Sequence, residues 1–65
     1  MAKWIPVTKR YPEEWVDVIT YQPNQFGWII RIGVYIGHEK WRESERHELM
    51  EIPVTHWMPL PEPPK

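Results

Sequence analysis

Few residues in this sequence could carry catalysis. There is no cysteine, and the one serine, Ser44, sits in the charged run "WRESERHE" without the sharp turn that presents a catalytic hydroxyl. Acidic pairs occur at Glu13/Glu14 and Glu43/Glu45, but adjacent surface carboxylates are ordinarily solvated, and a chain of 65 residues has little depth in which to shift them toward neutral pH. His38, His47 and His56 stand nine apart, matching neither the i, i+3 nor the i, i+4 spacing that gathers ligands on a helix. No enzyme activity, no metal and no cofactor is therefore expected. His56 is expected to pack as a hydrogen-bonded histidine beside Trp57.

Binding chemistry is better represented. Arg31 and Tyr35 alternate on one side of "WIIRIGVYI", and Trp41 and Arg42 follow on what reads as the neighbouring strand. Rings can stack a base while a guanidinium takes phosphate oxygens in pairs, and Gly33 would let a ligand approach the backbone closely. Arg31, Tyr35, Trp41 and Arg42 are thus the candidate ligand-binding set, for a small nucleotide. The same residues have a structural use, with Arg31 in a surface ion pair and Tyr35 covering the sheet edge.

The elements that must position these residues read mainly as β. Pro6 and Pro12 hold the opening stretch extended, and "WVDVITY", Trp15 to Tyr21, is a strand closed by the turn-forming "QPNQFG". Trp28 to Ile36 is a second strand, whose even positions Trp28, Ile30, Ile32, Val34 and Ile36 are the expected core face. Lys40 to Arg42 reads as a third strand, followed by a polar loop from Ser44 to His47, with a short helix over Glu43 to Met50 as the alternative. Val54 to Met58 reads as a fourth, with Trp57 buried. The fold class is a small antiparallel sheet of three to four strands with extended, proline-containing termini, forming a single domain over residues 1–65.

Composition narrows the function further. A net charge of −1, with acids and bases interleaved, gives no general attraction to DNA or RNA backbones. The longest apolar runs fall far short of the roughly 20 residues that span a bilayer, and the opening residues lack a signal-peptide apolar region. A soluble cytoplasmic protein is expected. A 65-residue chain buries only about 60% of its unfolded surface, and without disulfides it needs another source of stability. Its aromatic residues, five of them tryptophan, supply apolar surface beyond what one small core can hide, so a homo-oligomer is expected.

The two ends carry a resemblance. "WIPV", then "PEEWVDVITY", then the closing "THWMPLPEPP" are similar to an uncharacterised family of small phage and prophage proteins that open with Trp-Ile-Pro/Ser-Val and end with Thr-His-Trp-Met-Pro-Leu-Pro. The likeness covers nearly the whole chain. It departs at Tyr11, where a leucine is common, and at Trp15, where a small or polar residue is usual, which marks both as candidate partner-binding aromatics. The resemblance implies a phage or prophage source, and hence an infected or lysogenic bacterial cell. Short accessory proteins of that kind commonly act by binding. The resulting expectation is a non-enzymatic anti-defence protein that sequesters a nucleotide-type immune signal in an oligomer. The alternative is an inhibitor or adaptor that binds a host defence protein through exposed aromatics. The proline-rich close fits the PxxP pattern, but Trp57 and Met58 ahead of it favour a tail docked on the sheet, with Leu60 near Trp4.

Overall fold

A computed structural model describes residues 3–61. Five strands form one open antiparallel sheet among these residues: β1 (Ile5–Pro6), β2 (Val18–Asn24), β3 (Gly27–Gly37), β4 (Lys40–Glu43) and β5 (His56–Pro59), in the order β1-β5-β2-β3-β4. The expected mainly β fold is therefore present. The fifth strand is β1, too short to be read from propensity and held by its pairing to β5.

β-branched and aromatic residues carry β2 and β3 into a hairpin. Asn24 pairs with Gly27 across Gln25 and Phe26, the Asn24 carboxamide oxygen accepts from Phe26 N–H at 2.7 Å, and Gly27 takes a left-handed φ of 139°. The run from Glu43 to Met50 is a turn and a bridge, not a helix. The Glu43 carboxylate accepts from the backbone N–H groups of Glu45 and Arg46, Arg42 Nη1 donates to the His47 carbonyl at 2.6 Å, and Arg42 pairs with Leu49. Side chains that bond their own backbone in this way compete with a helical ladder.

β5 lies inside the sheet. It pairs with β1 on one side and β2 on the other, so the closing Trp57-Met58 is a structural strand. Residues beyond Pro61, including Pro63 and Pro64 of the proline-rich tail, lie outside the described residues.

The two faces of the sheet differ. Register places Ile5, Trp57, Val18, Thr20, Gly33 and Tyr35 on one face with Trp41. The core gathers there: Val18, Tyr35, Trp41, Val54 and Trp57 are buried, with Val7, Tyr11 and Met50 from the two long connections packed over them. Gln22 Nε2 reaches the Ile52 carbonyl at 2.7 Å and ties the second connection down. The other face carries Trp28, Ile30 and Ile32 at 62%, 47% and 46% exposed.

That distribution reverses the expected core face of β3. The even positions are the more apolar, yet only Val34 among them is buried, with Ile36 half-buried. Both connections cross the odd face instead, and Gly33 there permits the close approach. A Cβ at that position would run into the Met50 methyl and lie 2.8 Å from the Arg42 carbonyl oxygen. Coverage by distant chain, not hydrophobicity of the strand, decides which face is inside.

Candidate functional site

The four candidate ligand residues do not converge. Tyr35 and Trp41 are 8% and 4% exposed, and their rings are committed to one another at 5.1 Å between centroids. Tyr11 stacks on Tyr35 at 4.3 Å, nearly parallel, and the Tyr35 hydroxyl accepts from Glu39 N–H at 3.1 Å, steadying a turn in which His38 and Glu39 both have positive φ. Neither ring offers a face to a base. Arg31 is paired with Thr20 and Arg42 with Val34, so the two guanidinium side chains leave from opposite faces of the sheet. The cleft beside Arg31, about 420 Å³, is also lined by Arg46 and by Glu43, Glu45 and Glu48, so carboxylates outnumber guanidinium groups there and disfavour a phosphate.

The two candidate partner residues separate as well. Tyr11 is drawn into the core, and burial, with added repulsion from Glu39 and Tyr35, holds its phenol above the ordinary value of 10.0. Trp15 is 64% exposed. Its φ of 66° lies in the left-handed region, which a bulky side chain rarely adopts, and its N–H donates to the Tyr35 carbonyl at 3.0 Å. Val16 beside it is 44% exposed.

Trp15 stands over a cleft of about 230 Å³ shared with Asp17, Val34, Ser44 and His47. Sequence reasoning did not group these residues, because the β4 turn brings Ser44 back to Asp17 over a separation no spacing rule detects. Ser44 Oγ donates to Asp17 Oδ1 at 2.7 Å. That hydroxyl proton points at a carboxylate, not at an imidazole base, and the arrangement is a polar floor under an aromatic shelf.

A second surface is the bare sheet face. Tyr21 lies at its centre, 5.7 Å from the Trp4 ring, 6.4 Å from Trp28 and 5.9 Å edge-on from His56. Trp4, Tyr21 and His56 line a shallow hollow of about 320 Å³. His56 is half-buried there against Tyr21, on the face opposite Trp57, and its Nδ1 lies 2.8 Å from Thr55 Oγ1. Leu60, expected near Trp4, is 39% exposed.

Among the described residues no three side chains of metal-ligating type come together, and no helix is long and apolar enough to cross a membrane.

Comparison with known proteins places this chain in a family. A family model described as "Protein of unknown function (DUF551)" matches residues 3–65. An "Uncharacterized 7.8 kDa protein in ral-gp17 intergenic region" of Salmonella phage P22 is 33% identical over 64 residues, covering 95% of this chain and 96% of that one. No solved structure matches the chain. The match over nearly all residues, together with a phage relative of the same size, makes this chain a member of the DUF551 family of small phage proteins.

Proposed function

We propose that this chain is a non-enzymatic phage accessory protein that acts by binding a protein of the host cell, with Trp15 as the anchor. The observation behind this reading is that Trp15 is both strained and exposed. A tryptophan in the left-handed region costs about 1–2 kcal/mol, and at 64% exposure it recovers little of that by packing. Such strain is kept where it serves a contact, and tryptophan is enriched among the few residues that dominate protein interfaces. The adjoining cleft, with the Ser44–Asp17 pair on its floor, suits a partner that supplies one apolar group and one hydrogen bond.

Sequestration of a nucleotide finds less support in the geometry. The rings that would stack a base are used inside the core, and the arginines diverge. The two readings separate in one pair of measurements. Nucleotide binding would raise the thermal midpoint by mass action, and Arg31→Ala would abolish the rise. The protein-binding reading expects no nucleotide-dependent shift.

Trp15→Gly tests the anchor. Glycine tolerates the left-handed backbone, so the variant is expected to stay within about 1 kcal/mol of the parent in urea unfolding. A host protein retained by the parent chain from bacterial lysate is expected to be lost with the variant. Equal retention by both chains would refute Trp15 as the anchor.

A further inference from the structure

The geometry points to a second copy of this chain as the occupant of the bare sheet face, forming a two-fold, face-to-face sandwich. This goes beyond the Trp15 reading and uses different residues. Three observations carry it.

The first is contiguity. Register puts Ile30 beside Tyr21 and Ile32 beside Ile19, which is itself beside Met58. Trp4 and Trp28 flank Tyr21 on either side at 5.7 and 6.4 Å between ring centroids. The apolar surface is therefore one patch and not scattered single residues, which would need no explanation.

The second is area. At 36% and 62% exposure, Trp4 and Trp28 leave about 250 Å² of side chain in solvent on the usual scale for a buried ring. Ile30 and Ile32, each nearly half exposed, and the half-buried Tyr21 and Met58 bring the patch to the order of 600 Å². Counted on both sides of a two-fold axis, that is roughly 1,200 Å², the lower end of specific interfaces. It is also about what a chain with so small a core lacks. The buried apolar residues number six among those described, and no cysteine is present to staple them.

The third is charge. From Trp28 to Ile32 on β3, and at their partners on β2 and β5, no side chain on this face is an Asp, Glu, Lys or Arg. An isologous interface sets each residue against its own equivalents or near neighbours, so any fixed charge on it is repeated across the axis. The charged side chain that register places on this face is Arg42, opposite Val34 at the β4 end, so the uncharged part, from Trp28 to Ile32 and across β2 and β5, can meet itself without repulsion. Sheets packed this way lie about 10 Å apart with strands turned by about 30°, a spacing that the Trp28, Ile30 and Ile32 side chains can fill.

Sedimentation of the full chain tests this. The parent protein is expected at twice its 8.0 kDa mass at micromolar concentration, with a thermal midpoint that rises on concentration. Ile30→Asp puts a charge on the face without disturbing a buried site, and is expected to sediment as a folded monomer with at least a tenfold weaker association. Phe26→Ala, at the hairpin tip where Phe26 is 90% exposed, is expected to leave the dimer intact. If Ile30→Asp fails to fold, the parent chain itself decides: oxidative labelling of Trp28 must slow as concentration rises. A parent that stays monomeric at 100 μM and above, a dimer that survives Ile30→Asp, or Trp28 labelling independent of concentration in a dimer would each overturn the inference. None of these outcomes bears on whether Trp15 anchors a host protein, which the lysate comparison decides separately.

Discussion

Trp57→Ala is expected to remove ~3–5 kcal/mol of stability, between about a third and all of what a 65-residue chain possesses at about 0.05–0.15 kcal/mol per residue. Trp57 is 4% exposed and paired to Ile5 on one side and Thr20 on the other. Its indole N–H donates to the Arg10 carbonyl at 3.0 Å, and the Arg10 guanidinium lies 5.1 Å above the ring. One side chain thus ties the opening arm, the closing strand and the centre of the sheet together. Truncation leaves a cavity, an unpaired carbonyl and a guanidinium without its ring. Trp57→Phe keeps most of the volume and loses the hydrogen bond, so its cost should be nearer 1–2 kcal/mol. Urea unfolding of both variants checks the order. Equal, small losses would mean that β5 is not part of the cooperative core.

Gly33→Ala is the second large effect, at ~1–3 kcal/mol destabilising. The added methyl meets two neighbours of different stiffness. The Met50 side chain is flexible and can swing aside, but the Arg42 carbonyl, 2.8 Å away, belongs to the β3–β4 ladder and can move only by parting the strands. Combining Gly33→Ala with Met50→Ala is therefore expected to recover only part of the loss. Full recovery would show that the methionine alone fills the space over Gly33. The same substitution at Gly27 meets nothing within 4 Å and is limited by its left-handed φ alone.

The strands themselves were legible. β2, β3 and β4 follow from β-branched and aromatic runs, but β2 runs Val18–Asn24 and not Trp15 to Tyr21, because Gln22, Pro23 and Asn24 stay paired to β3 instead of turning; the burial of Trp57 follows from its place in an apolar closing motif. The inside of β3 was not. Alternation separates Trp28, Ile30 and Ile32 from Ile29, Arg31 and Gly33 but does not say which set is covered. Coverage comes from residues 7–11 and 50–54, which carry no periodic signal, and they pack where Gly33 leaves room. Tyr35 and Trp41 were misplaced for the same reason: an aromatic on a lesser-looking face reads as available until the chain that buries it is known. Tyr11 became a core residue because Tyr35 lies beneath it. Trp15 kept its exposure, and its strained backbone is invisible in a sequence because no residue type encodes it. The Ser44–Asp17–His47 cleft depends on a turn capped by Glu43 side-chain bonds, which composition suggests only as a polar loop.

Residue-resolved oxidative labelling of the five tryptophans, read by mass spectrometry over a dilution series, tests the two-faced sheet most directly. Trp41 and Trp57 should be protected at every concentration, Trp15 should label fast throughout, and Trp28 should label fast in the most dilute samples. Trp28 protected at all dilutions while Trp41 labels as fast as Trp15 would place the core on the even face of β3 and contradict the fold described.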